Sequence, residues 1–334
     1  MPSAKNQGPK TQKPGLLIAV SGGLDSRVLL DVLVRLQNSR KPITPLVLAT
    51  KNFPQITAIA HFNHNFHKKA QAQARFVQDL AQQYNLPCYF GKAQTKLTSE
   101  ADFRAARFQF LAKVAQQLKA TQIALAHHGL DKAETFLLNL LRGTGLAGLA
   151  SLPEFANFPG SLKSKIQLWR PFIKTPKTQI QAYAKKHQLK FVSDPTNTDL
   201  RFKRNFLRHT LWPFFRQMNS QATANILQAQ DQITAAQAFL VQTAQHFLKQ
   251  NPQSLPLAEF NTLPTVLRGE ILRQIYQTAI GHFDQVTAKN FQEILLLAQN
   301  PAGHKKKRFG KLEFRTAKLK ARRVLVWRSS LPSR

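Results

Sequence analysis

Leu16-Leu17-Ile18-Ala19-Val20-Ser21-Gly22-Gly23-Leu24-Asp25-Ser26 decides how the rest of the chain is read. Five apolar residues in a row suit a buried strand, and the apolar spacing from Ser26 to Leu36 is helical. Between the two, a pair of glycines allows a tight turn with consecutive exposed N–H groups. Two serines add hydroxyls, and the following helix points its positive end at the same place. A strand-loop-helix unit of this kind cradles a phosphate or pyrophosphate, which makes Ser21, Gly22, Gly23, Leu24, Asp25 and Ser26 the expected anion-binding residues. The plainer reading is a strand-to-helix turn with serine as cap.

The unit repeats outward. Strand-like runs at Ile56 to Phe62, Pro87 to Phe90 and Ile123 to Ala126 alternate with helical patterns at about 68–84, 100–118 and 131–141, which predicts an α/β domain with a mostly parallel sheet. Further short edge elements are expected at Trp169 to Phe172 and Phe191-Val192, around a helix at 177–187. After Pro213 no strand signal is read for some eighty residues. Ile226, Ile233, Leu240 and Phe247 recur every seven positions and Leu267, Ile271 and Ile275 every four, a helical pattern. The expected division is a basic tail at 1–13, a catalytic domain at 14–212, a helical domain at 213–303 and a basic segment at 304–334, in which Arg323 to Trp327 has strand character.

Composition narrows the function. The 334 residues contain 48 Lys+Arg against 16 Asp+Glu, a formal net charge of +32 at pH 7, with 43% hydrophobic residues. That much apolar content excludes a disordered polyelectrolyte, and that much positive charge calls for a polyanionic partner, nucleic acid first. With so few acids, each carboxylate has a raised chance of being a cap, an ion-pair partner or a site residue. Cys88 is the one cysteine, so no intrachain disulfide or multi-cysteine metal centre is expected. No run reaches the ~18 apolar residues of a bilayer span, and a cytoplasmic protein without membrane contact is expected.

A second constellation, Ala126-His127-His128-Gly129-Leu130-Asp131-Lys132-Ala133-Glu134-Thr135, stands at the end of a strand, where open α/β sheets place ligands. Asp131 and Glu134, three apart, share a helix face and suit Mg²⁺ or a cationic amine, and they equally suit a capping box. Arg104 and Arg107 in Phe103-Arg104-Ala105-Ala106-Arg107-Phe108 offer guanidinium forks for phosphate oxygens. His61-Phe62-Asn63-His64 ends another strand on the same sheet edge. Gly143-Thr144-Gly145-Leu146-Ala147-Gly148 matches G-x-G-x-x-G, but it follows a helix and lacks the acid ~20 residues on, so it reads as a helix-terminating loop.

The loop at 21–26 resembles the SGGxDS signature of the PP-loop ATP pyrophosphatases. Together with HFNH at 61–64, the 103–108 and 126–135 stretches, the Arg170-Pro171-Phe172 run, Asp194-Pro195-Thr196-Asn197 and Arg201, Arg204, Asn205 and Arg208, it occurs in the order found in tRNA(Ile)-lysidine synthases. The resemblance is strong over about 16–212. It implies a PP-loop (adenine nucleotide α-hydrolase-like) fold followed by a mainly helical C-terminal domain that binds tRNA. The implied reaction joins free L-lysine to carbon 2 of the wobble cytidine of a tRNA(Ile) with a CAU anticodon, through an adenylylated tRNA, using ATP and Mg²⁺. Ser21 to Ser26 would bind the ATP phosphates. Asp25 and His127 would lie near nucleotide or metal, Arg107 and Arg204 would neutralise phosphate, and Asp131 and Glu134 would take lysine or metal, Asp25 and Asp131 being the Mg²⁺ ligands. Asp131 would also accept the amine proton; a homodimer is one assembly open to the chain, whose oligomeric state the sequence does not fix. Two other readings are another PP-loop adenylating tRNA-modification enzyme and a basic RNA-binding protein without catalysis; a lone Cys88 disfavours the cysteine-dependent thiolases.

Overall fold

The computed structural model describes residues 15–39, 53–63, 70–93, 100–158, 166–192, 198–280, 288–300, 306–319 and 322–329. The chain forms two compact units, one reaching Gln230 and one beginning at Asp231.

The first unit carries β1 (Gly15–Ala19), α1 (Leu24–Ser39), β2 (Gln55–Asn63), α2 (Ala70–Gln83), β3 (Cys88–Lys92), α3 (Glu100–Gln117), β4 (Ala120–Ala124), α4 (Gly129–Leu141), α5 (Leu146–Leu149), β5 (Phe155–Asn157), β6 (Gln167–Trp169), α6 (Lys177–Lys186), α7 (Lys203–Phe206), a π-helical turn (Leu207–Leu211) and α8 (Trp212–Met218). Its sheet runs β3-β2-β1-β4-β6-β5, parallel except for β5 against β6. Period-two alternation along β1 splits the core. Leu16, Ile18 and Val20 meet α1, α2 and α6 through Leu29, Val77 and Ile180, while Leu17 meets α3 through Leu111 and Val114. All of these side chains are buried. Because β1 connects leftward to β2 while β4 lies on its right, the crevice between β1 and β4 is the switch point where open α/β sheets bind ligands.

In the second unit, α9 (Ala222–Gln250) leads to β7 (Ser254–Pro256), α10 (Leu257–Thr262), α11 (Thr265–Ile280), α12 (Ala288–Gln299), β8 (Lys306–Phe309), β9 (Leu312–Leu319) and β10 (Arg322–Ser329). Four strands in the order β7-β10-β9-β8 lay Leu255, Leu312, Phe314 and Leu325 against Phe260, Ile271, Leu272 and Ile294 of the helices.

Four expectations change. The boundary expected at Trp212–Pro213 falls inside α9 at Gln230, because Trp212 and Leu207 are buried against Ala133 of α4 with Ile226 and Leu227, and the Gln230 amide bonds Leu149 O and Ser151 O at 3.0 Å each. The stretch expected to be strandless contains β7, a three-residue strand that exists through its pairing with β10. The basic C-terminal segment is mostly sheet: Leu312, Phe314 and Thr316 alternate inward between exposed or half-buried residues, a period that dense Lys and Arg obscure in the sequence. Phe191-Val192 is irregular rather than a strand. Among the described residues no helix is long and apolar enough to cross a membrane.

Candidate active site

The loop after β1 turns its carbonyls away from its own centre. Val20 O accepts from His61 Nδ1 (2.9 Å), Ser21 O from Gln73 Nε2 (2.7 Å), Gly22 O from Val192 N (3.0 Å), and Gly23 O from Arg27 N (2.9 Å) and Ser26 Oγ (3.0 Å). Four successive carbonyl dipoles are thus satisfied by surrounding protein, which leaves the α1 N-terminus, and the loop amides other than those of Ser21 and Gly23, for an anion. The serines act first as braces: Ser26 Oγ accepts from Ser21 N (3.1 Å), and Ser21 Oγ lies 3.0 Å from Ser26 Oγ and accepts from Gly23 N (3.3 Å). Gly22 has φ +86°, in the left-handed region, and a Cβ there would meet Val77 Cγ2 at 3.3 Å. Leu24 opens α1 and packs on the core. Phe191-Val192, expected as a strand, instead gives its Val192 N–H to this loop.

Asp25, one residue into α1, forms an ion pair with Lys177 at the start of α6, and its Oδ2 lies 3.7 Å from His128 Nε2. His128 caps α4. Its Nδ1 accepts from Asp131 N (3.4 Å) while Asp131 Oδ2 accepts from His128 N (3.0 Å), a capping box three positions earlier than the Asp131/Glu134 box considered from sequence. The imidazole therefore stands between Asp25 and Asp131, so these two carboxylates do not converge on one Mg²⁺ in this arrangement. Among the described residues no group of three His, Cys, Asp or Glu gathers to hold a metal. An Mg²⁺ with Asp25 as its single protein carboxylate, completed by nucleotide phosphates, fits the usual chemistry of that ion.

Arg208 grips the two acids of α4. Its Nε donates to Glu134 Oε1 (2.6 Å), and its Nη2 donates to Glu134 Oε2 (2.8 Å) and Asp131 Oδ1 (2.9 Å). Burial works to raise the Asp131 carboxyl, but His128, His127 and Arg208 outweigh it and hold it at about 2. A carboxylate held there is a charge partner for a cation. Glu134 is completely buried; burial raises its carboxyl, with Arg208 opposing. It holds Arg208, and Arg204 Nε at 3.6 Å, rather than presenting an open ligand site.

A cationic group surrounds His127. Burial pushes this imidazole down to about 3, with Asp131 opposing and Arg107, Arg170 and Arg204 adding to the fall. Burial and then Arg104 and Arg204 bring Arg107 to about 10, and burial and then Arg104 do the same for Arg170. His127 Nδ1 and the Nε atoms of Arg107, Arg170 and Arg204 are shut off from solvent without a hydrogen-bond partner. Buried polar atoms are normally satisfied, and nitrogens without a hydrogen bond on His127 and on the three guanidiniums that act on it suit an anionic or acceptor-rich ligand, although Glu134 lies 3.6 Å from Arg204 Nε. Arg204 is otherwise fixed by Thr135 Oγ1 at 2.7 Å.

The structure brings together the loop, Asp25, His128, Asp131, Glu134 and Arg208 on one side and Arg107, His127 and Arg204 on the other, around the ends of β1 and β4. Sequence reading did not assign Lys177, Gln73, Val192 or a site role to Arg170. Gln73 and Val192 carry no motif signal, whereas Arg170 was visible as part of Arg170-Pro171-Phe172. Asp194 to Asn197 and His64 lie outside the described residues. The Gly143 loop terminates α4 as expected, with Gly143 at φ +72° and bonds from Gly143 N to Leu140 O (3.0 Å) and Thr144 N to Asn139 O (3.3 Å).

Comparison with known proteins agrees with this geometry. The PP-loop domain family matches residues 3–215. A tRNA(Ile)-lysidine synthase of a Nostoc species is 32% identical over 290 residues, covering 85% of this chain and 80% of its own. The chain belongs to the tRNA(Ile)-lysidine synthase family. Lysidine synthases from Geobacter sulfurreducens (31% identity, 87% of this chain, 61% of theirs) and Haemophilus influenzae (35%, 62% and 45%) are longer than the part they share with it. Among solved structures, the U34-tRNA thiolase NcsA from Methanococcus maripaludis superposes with TM-score 0.51 at 14% identity, over 66% of this chain and 72% of that one, which shows a shared fold. Lysidine synthase family membership makes this chain an enzyme of the PP-loop class.

Proposed function

We propose that the protein joins L-lysine to carbon 2 of the wobble cytidine of a tRNA(Ile) with a CAU anticodon, consuming ATP and releasing AMP and pyrophosphate. The observation that carries this reading is the backbone at 20–23, whose four carbonyls are tied back, together with the solvent-shielded Nε atoms of Arg107, Arg170 and Arg204 and the Nδ1 of His127. The N–H edge and the α1 N-terminus hold the phosphates of ATP. The cytidine carbon-2 oxygen attacks the α-phosphorus, forming an O–P bond as the bond to pyrophosphate breaks. The lysine side-chain nitrogen, its ammonium proton given up to water, then attacks carbon 2, and the bond to the adenylate oxygen breaks to release AMP. Mg²⁺, when bound, supplies charge neutralisation at the phosphates.

Negative charge concentrates on phosphate oxygens in the first step, and fixed donors facing that charge stabilise it more than they stabilise the ground state. Arg107, Arg170 and Arg204 are such donors, held by Phe108, Pro153 and Thr135 respectively: Arg107 lies 5.6 Å over the Phe108 ring, Arg170 Nη1 is 2.9 Å from Pro153 O, and Arg204 Nη2 is 2.7 Å from Thr135 Oγ1. His127, neutral at pH 7, adds a hydrogen-bonding ring without a second charge. Asp131 attracts the ammonium of lysine, and Glu134 keeps Arg208 in place behind it. The +32 net charge supplies the long-range attraction for tRNA, for which residues 213–303 and the basic strands at the C-terminus are proposed contacts.

Pyrophosphate release from ATP, Mg²⁺, lysine and the matching tRNA tests the reading. The wild-type chain releases it and Asp25→Ala does not, while both bind tRNA equally. Tight tRNA binding with no pyrophosphate from the wild type would leave a non-catalytic RNA-binding protein in its place.

A further inference from the structure

Asp25 occupies an awkward position for an anion site. It lies in the first turn of α1, where its carboxylate satisfies the same helix-end potential that phosphates would use. Lys177 answers it. The Lys177 ammonium pairs with Asp25 Oδ1, and the two side chains are about one quarter and one third exposed, with relative exposures of 26% and 31%. This pair is placed by more than itself. Six residues further along each helix, Tyr183 Oη donates to Asp31 Oδ2 at 2.8 Å. Asp31 is buried and also accepts from Tyr84 Oη (2.5 Å) and Arg35 Nε (2.7 Å), while Arg27 donates to Tyr84 Oη at 2.8 Å. Equal six-residue spacings, about 9 Å of helix, set α6 parallel to α1 and anchor it at both ends. One anchor is buried and structural; the other delivers a cation to the loop.

We infer that Lys177 is a positioning residue for the nucleotide, the counter-charge that keeps Asp25 from repelling polyphosphate at the loop. The inference rests on ATP binding at residues 21–26 as proposed above. Without a cation on Asp25, a carboxylate and a polyphosphate compete for one helix N-terminus; with Lys177 there, the loop meets the phosphates at near-neutral local charge. Mg²⁺ on Asp25 would replace that neutralisation, so Lys177 matters most when the metal is scarce.

Calorimetric titration of ATP into the full-length protein, in EDTA and in excess Mg²⁺, tests this. Lys177→Met weakens ATP binding about tenfold in EDTA, the scale of one lost charge-assisted contact, and by less in Mg²⁺. Lys177→Arg retains wild-type affinity, and adding Asp25→Asn to Lys177→Met restores binding in EDTA, a recovery that a misfolded variant could not give. Unchanged binding in Lys177→Met, equal weakening in both conditions, or no recovery in the double variant would overturn the inference. No ATP binding by the wild type in either condition would instead remove the nucleotide assignment beneath it.

Discussion

Gly22 shows how narrowly the loop is specified. At φ +86° an L side chain costs about 1–2 kcal/mol, and Val77 leaves no slack for a Cβ. Gly22→Ala should therefore lower stability by about that amount and weaken ATP binding as the Gly22 carbonyl turns from Val192, both read from thermal unfolding with and without ATP. His127 makes a pH-dependent prediction. Its folded-state pKa of about 3 lies below the ordinary 6.5, so the unfolded chain takes up the proton first. Its contribution to stability is complete above about pH 6.5 and is lost as pH falls toward 3. Denaturant midpoints between pH 7 and pH 4 should fall less steeply in His127→Gln than in the wild type, with His61 and His128, also lowered by burial, supplying the remaining slope. At this scale the sequence was informative where residue type alone limits the chemistry: the paired glycines, His127 and Asp25. It was silent on Lys177 and Gln73, because a lysine or glutamine in so polar and basic a chain carries no signal until a fold places it.

At the scale of elements, α4 and the π-helical turn after α7 form one device. Arg208 on that turn bonds both carboxylates of α4, so Arg208→Ala leaves the buried Glu134 carboxylate with only the longer Arg204 contact. Loss of about 3–5 kcal/mol is expected for breaking a buried pair from one side, seen as a lower chemical-denaturation midpoint. A Glu134→Gln/Arg208→Met variant should recover much of it, because the burial cost goes with both charges. The sequence located the strands and helices of the first unit closely, since buried parallel strands and amphipathic helices have separate periods. β7 and β9 carry no legible signal because three residues have no period, and because lysines and arginines on the open face of β9 hide the alternation of Leu312, Phe314 and Thr316, whereas Arg323 to Trp327, expected as a strand, lies in β10. The Trp212–Pro213 boundary was drawn at a proline that in fact opens α8, while the buried Trp212 ties that helix into the first unit.

For the whole molecule, the excess of cations over acids governs encounter with RNA. Affinity for tRNA should fall linearly in log–log form with salt, by about 10³–10⁵ between 50 and 200 mM if some 6–10 phosphates are contacted. Filter binding across that range measures the slope, and a flat line would remove phosphate contact as the source of affinity. Asp25 meets Lys177, and Asp131 and Glu134 share Arg208, so the acids of the site are all paired with cations. The most direct test of the whole account is mass spectrometry of nucleosides from a tRNA(Ile) with a CAU anticodon after incubation with the protein, ATP, Mg²⁺ and isotopically labelled L-lysine. Labelled lysidine replacing the wobble cytidine, absent when Asp25 is alanine, is the predicted result; unmodified cytidine in a tRNA that the wild-type protein demonstrably binds would contradict it.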